Sequence, residues 1–248
     1  MTRIKIGYRA SNIIIFGDLH ANWEALSILQ QTEPNPLAIF CLGDLVGYGP
    51  DTKRCLDAIR SAPAYVIGGR HDRAVAGQAA DTLPPSPNAD LLHASWAHAR
   101  SVLSPADRDY LASLPESLPV ELAGVRFYLT RLPPDDDETE TRMLITLTQA
   151  ELRDLFGHLD VDVVLLGGPH IPALRQVDGK LIICPGSLGQ PRYGVPEPTF
   201  AVWRNNQAKI HHLHYNPSST IRKLNLLPLA PEHRLRLQSM LQAGYSNK

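Results

Sequence analysis

NIIIFGDLHANWEALSILQQ, residues 12–31, is the stretch on which the fold turns. The apolar run NIIIF (12–16) reads as a strand, Gly17-Asp18-Leu19-His20 as a sharp polar turn, and NWEALSILQQ (22–31) as an amphipathic helix. LAIFCLG (37–43) repeats the strand, DTKRCLDAIRSA (51–62) the helix, and AYVIGG (64–69) the strand again. The first 70 residues therefore predict a βαβαβ unit, whose strands are parallel and buried.

Outward from that unit, ADLLHASWAHARSVL (89–103) and SPADRDYLASL (104–114) each follow a capping residue, and predict a helical insertion over about 74–118. The later half is richer in strands: VRFYLT, VDVVLLGG, ALRQV, KLIIC, TFAVWR and KIHHLHY. The hairpin turn VDGK suggests that these form a second, mainly antiparallel sheet. PEHRLRLQSMLQAGY (231–245) closes the chain as a helix, and the acidic PPDDDETETR (133–142) reads as a solvated loop.

The 248 residues are 44% hydrophobic, enough for one large α/β domain, and one domain over 1–248 is the expectation. With 24 basic and 25 acidic residues the formal charge is −1, so no global field favours nucleic acid or an anionic membrane, and sequence-specific nucleic-acid binding is not expected. No apolar run approaches the roughly 18 residues of a membrane span, which predicts a soluble cytoplasmic protein without membrane partners. Cys41, Cys55 and Cys184 are odd in number and lack a CxxC pair, which argues against a disulfide framework.

Ligands of open α/β sheets gather beyond the carboxyl ends of the strands. The polar residues of this chain fall there: Asp18 and His20 after the first strand, Asp44 after the second, Arg70-His71-Asp72 after the third, and His170 after Gly167-Gly168-Pro169. Taken singly, each reads equally as a turn residue or a helix cap. Repeated at four strand ends, two carboxylates and two imidazoles form a mixed nitrogen and oxygen site suited to a first-row dication.

The motifs GDLHANWEAL, GDLVGYGP, GGRHD, GGPHIP and CPGSLGQPR, in that order, resemble those of the calcineurin-like metallophosphoesterases, in particular their compact bacterial branch. The resemblance spans nearly the whole chain. It implies a four-layer α/β/β/α sandwich of two mixed sheets, and a site for two dications bridged by an aspartate and a water that attacks phosphorus. It also implies that the ligands of the first metal are Asp18, His20, Asp44 and His170, all present. At the unshared ligand positions of the second metal stand Arg70, Thr130 and Gly168, none of them a replacement ligand.

One divalent metal (Mn, Fe or Zn) is therefore expected, and a second is not. A guanidinium has no lone pair and stays protonated, so Arg70 is expected to occupy the vacated position and clamp phosphate oxygens. Arg131, beside Thr130, either adds to that charge or is an exposed loop cation. His71 matches the family's acid, and Asp72 either fixes its tautomer or caps a helix; Arg192 is placed at the phosphate-binding rim. The expected catalytic set is His71, Asp44 and Arg70, with a phosphorylated small molecule or nucleotide as partner. Loss of the second-metal ligands leaves a second reading open, an inactive pseudo-phosphoesterase that binds phosphate or nucleotide. His212 and His214 are expected to share a strand face that His211 does not, and His93 and His98 to lie on a solvated helix face.

Overall fold

A computed structural model describes residues 12–78, 88–131 and 146–244. The acidic stretch 133–142 lies outside them, as does part of the expected insertion, 79–87.

The first sheet takes strands from both ends of the chain. β1 (Ile13–Phe16), β2 (Ala38–Cys41) and β3 (Ala64–Val66) run parallel, connected by α1 (Trp23–Thr32) and α2 (Thr52–Arg60). After β3 come α3 (Arg70–Ala76), α4 (Ala89–Val102) and α5 (Pro105–Ser113). The second sheet holds β4 (Leu118–Leu122), β5 (Val125–Arg131), β6 (Val163–Gly167), β7 (Pro172–Val177) and β8 (Lys180–Pro185), with α6 (Gln149–Phe156) between β5 and β6. β9 (Thr199–Arg204) and β10 (Gln207–His212) then return to the first sheet, followed by α7 (Ser218–Leu224) and α8 (Pro231–Ala243). The sheet orders are β10-β9-β1-β2-β3 and β4-β5-β6-β8-β7.

Alternation along single strands builds the layers. On β1, Ile14 and Phe16 face the helices, whereas Ile13 and Ile15 face the opposite sheet. On β6, Val163 and Leu165 meet that same inter-sheet core, and Val164 and Leu166 face α6. Three apolar cores between four layers follow from a side-chain period of two on strands buried on both faces. This is the α/β sandwich of two mixed sheets that the motifs implied.

The expectation of a mainly antiparallel second sheet needs correction. β5–β6 and β6–β8 are parallel, and the antiparallel β9–β10 hairpin belongs to the first sheet, with β9 beside β1. Burial explains this arrangement: β9 is apolar on both faces and fits a sheet interior, while β10, exposed at alternate positions, takes the edge. The VDGK hairpin is as read, with Asp178 and Gly179 both left-handed at φ 47° and 82°. β10 ends at His212, so His214 lies beyond it, and the two histidines instead share the carboxylate of Glu197, at 3.3 and 3.1 Å. His211 stacks on Phe200. His93 is exposed on α4, as expected of a solvated helix face. Among the described residues, no helix is long and apolar enough to cross a membrane.

Candidate metal centre

The carboxyl ends of β1, β2 and β6 converge, because parallel strands in one sheet end on the same side and the two sheets face each other across the inter-sheet core. At each end the chain turns through the left-handed region. Asp18 has φ 53°, His20 45°, Asp44 50° and His170 58°, each at a cost of about 1 kcal/mol or more. The inter-strand hydrogen bonds Asp18 N to Gly43 O and His20 N to Asp44 O hold these turns against one another. All four side chains are buried.

Their donor atoms meet. His20 Nε2 lies 3.4 Å from His170 Nε2, and His170 Nε2 lies 3.5 Å from Asp18 Oδ1. His170 Nδ1–H donates to Gln190 O at 2.6 Å and His20 Nδ1–H to Val46 O at 3.4 Å, so both Nε2 atoms present lone pairs. Burial, opposed by the charge of Asp44, lowers the pKa of His20 to about 3, and burial with the Arg192 charge takes His170 well below the ordinary range. Two neutral lone pairs and a carboxylate oxygen aimed at one point repel one another unless a cation lies among them. The donor set therefore fits a dication, with backbone carbonyls orienting each ring from behind. His20, Asp44 and His71 form a second group of similar spacing.

A guanidinium lies beside this point, and it belongs to Arg131. Its Nη2 is 3.0 Å from Asp18 Oδ1 and 2.7 Å from Asp44 Oδ2, and its Nη1 donates to Leu42 O at 2.7 Å. The alternative of an exposed loop cation is overturned, since the Arg131 side chain is only 10% exposed. The topology accounts for its position. β5 runs parallel to β6 and carries Arg131 to the register position of Gly167, where any Cβ would crowd Nη1. Arg70, expected in this place, opens α3 and is partly exposed, and its charge is felt at the neighbouring His71.

The two carboxylates differ in consequence. Burial raises Asp18 to about 6 despite the Arg131 charge, with the negative charge of Asp44 adding to the rise. Burial pushes Asp44 the same way, but Arg131, the imidazoles of His71 and His20, and the His71 N–H at 2.9 Å from Oδ1 hold it well below the usual carboxylate range.

Asp72 is a structural cap. Its Oδ1 accepts from Leu45 N and Val46 N, its Oδ2 accepts from Gly69 N, and burial followed by the charge of Asp44 raises it to about 7. His71 receives a different partner, Trp96, whose Nε1–H donates to Nδ1 at 2.9 Å. Arg192 donates from Nε and Nη2 to Gln190 Oε1. Trp96 was not anticipated, as no spacing in the sequence relates α4 to the strand ends. Tyr48, whose ring meets His20 and His71 edge-on or tilted at 4.9 and 4.7 Å between centroids, sits inside the quoted GYGP motif.

Comparison with known proteins bears on the family and the fold. The sequence model of the Calcineurin-like phosphoesterase superfamily domain matches residues 12–207. An uncharacterized protein of Methanocaldococcus jannaschii is 26% identical over 217 residues, 81% of this chain and 85% of that one. The crystal structure of a metallophosphoesterase from Sphaerobacter thermophilus superposes with a TM-score of 0.72 at 24% identity, covering 93% of this chain and 99% of that one. A hypothetical protein from Pyrococcus horikoshii superposes with a TM-score of 0.73 at 19% identity, covering 96% of this chain and all of the other.

Proposed function

The chain belongs to the calcineurin-like phosphoesterase superfamily, and on that premise we propose that it hydrolyses a phosphoester of a small molecule or nucleotide with one divalent metal and one arginine in place of the two metals its motifs imply. Asp18, His20 and His170, with Asp44 joined to them through His20, would hold the metal, which would supply Lewis acidity toward a phosphate oxygen and acidify a water. Arg131 stands in for the second ion, setting fixed positive charge against both Asp44 and Asp18. The contact of one guanidinium with both Asp18 and Asp44 is the single observation that carries this reading.

The remaining groups divide the work. Arg70 and Arg192 bind the outer phosphate oxygens, as forked donors suited to oxyanions. His71, neutral and with its proton on Nε2, donates a hydrogen bond to the leaving oxygen. Asp44, kept ionised by Arg131, presents a charged ligand at neutral pH. The experiment is hydrolysis of bis-p-nitrophenyl phosphate and p-nitrophenyl phosphate with and without Mn²⁺. Turnover is expected only with the ion, and none in Asp44→Ala.

A second reading, a phosphate- or nucleotide-binding module without turnover, draws on the same contact, because Arg131 compensates both carboxylates with protein charge alone. Saturable nucleotide binding with no hydrolysis of either ester would select it.

A further inference from the structure

We propose that Trp96 is a positioning residue that fixes His71 as the Nε2–H tautomer, which keeps this imidazole off the metal and reserves it as a hydrogen-bond donor. An indole nitrogen donates and never accepts, so the 2.9 Å contact from Trp96 Nε1 requires a lone pair on His71 Nδ1. A neutral imidazole with a bare Nδ1 carries its proton on Nε2. Both side chains are buried, and the rings cross edge to face at 81°. The flank of Nδ1 is closed by Gly47, where a Cβ would overlap that atom, so backbone and indole together define its surroundings.

The group behind each ring sorts the three buried histidines. His20 and His170 have carbonyls at Nδ1, which demand Nδ1–H and leave Nε2 free to ligate. His71 has an N–H donor there. Were His71 to ligate through Nε2, its proton would move to Nδ1 and face the indole N–H, donor against donor, in a site without solvent. His71 therefore stays out of a dication site with His20 and Asp44, although its ligand atoms lie near enough. α4 is held in place for this task by its neighbours: Ser95 Oγ accepts from Tyr48 N, and Arg100 Nε donates to Val75 O at 3.3 Å.

The use of this proton on a leaving group rests on the hydrolase reading; the tautomer itself does not, and its test needs no substrate. ¹⁵N-histidine-labelled, metal-free protein would be studied by NMR, with the His71 signals identified by their loss in His71→Gln. The expected spectrum has a protonated Nε2 and an unprotonated Nδ1, and Trp96→Phe shifts the Nδ1 resonance and lowers the tautomer ratio about tenfold, as loss of one buried hydrogen bond predicts. Zn²⁺ should then displace the Nε2 resonances of His20 and His170 and leave His71 Nε2–H in place. A wild-type Nδ1–H tautomer, loss of the Nε2 proton with Zn²⁺, or an unchanged His71 spectrum in folded Trp96→Phe would each overturn the proposal. If Trp96→Phe does not fold, the two wild-type spectra decide alone. Absence of hydrolysis leaves all of these results standing, so the two failures are distinguishable.

Discussion

Arg131 and Asp44 form a buried ion pair, Nη2 to Oδ2 at 2.7 Å, across the facing ends of two different sheets. It links a cation at the end of β5 to an anion just past β2, and so ties the sandwich together where its chemistry is concentrated. Replacing Arg131 by Ala leaves Asp18 and Asp44 buried without the guanidinium that contacts them both. Loss of about 3–5 kcal/mol is expected in metal-free protein, read by denaturant unfolding, and saturating Mn²⁺ should restore part of it. An undiminished midpoint in metal-free Arg131→Ala would remove Arg131 from its central place.

Metal stoichiometry tests the same pair differently. One tightly bound equivalent per chain is expected by elemental analysis after dialysis against Mn²⁺ or Zn²⁺, since the Arg131 guanidinium already contacts Asp44 Oδ2 and would repel a second ion there. Two equivalents in the cleft would contradict this arrangement.

Gly69 lies against the Asp44 carboxylate so closely that a Cβ there would overlap Oδ1 and Cγ. Gly69→Ala must push Asp44 aside, and a fall in metal affinity of at least about tenfold is expected by calorimetry, in line with displaced ligand or supporting groups. Gly77→Ala serves as the control. It has open space around it and a left-handed φ of 85°, so it should cost about 1 kcal/mol of stability with no change in metal affinity. Equal affinities in the two variants would show that Asp44 tolerates the shift.

The buried titratable groups set a pH dependence. Asp18 and Asp72 have pKa values raised in the fold, to about 6 and about 7 from 3.8, so their contribution is present at low pH and fades as pH rises through 4 to 6 or 7. His20, lowered by burial to about 3 from 6.5, and His71 and His170, also lowered by burial, must fold neutral, so their contribution is lost as pH falls below 6.5. Between pH 4 and 6 three histidines oppose two carboxyls. Unfolding then takes up about one net proton, and metal-free protein should lose about 1.4 kcal/mol per pH unit on acidification. His20→Asn removes one of the three and should flatten the slope toward zero. A Tm that rises as pH falls from 6 to 4 would refute the assignment of neutral imidazoles.

The residues that meet at the site were legible because strand ends advertise themselves. A buried parallel strand is an unbroken apolar run, and the polar pair after it stands out, so Asp18, His20, Asp44 and His170 could be named from the sequence. β4 was less visible because Pro119 interrupts it, which an edge strand tolerates. α6 has a readable start, Thr148 with Glu151 three residues on. α7 has Pro217 at its N-cap, which offers no capping side chain, and Asn216 Oδ1 accepts from Ser218 N instead.

The local chain thus determined the strands, the turns and the polar residues at the strand ends, because each depends on side-chain periodicity and neighbouring backbone. Which arginine faces the carboxylates was decided only by tertiary structure: Arg131 is 87 residues from Asp44, and the parallel register of β5 with β6 brings them together. The same holds for Trp96 and His71, on separate helices, and for β9, which crosses from the second sheet's end of the chain to pair with β1. Contacts between segments distant in sequence leave no period to read, since they are chosen by which apolar faces can be buried together.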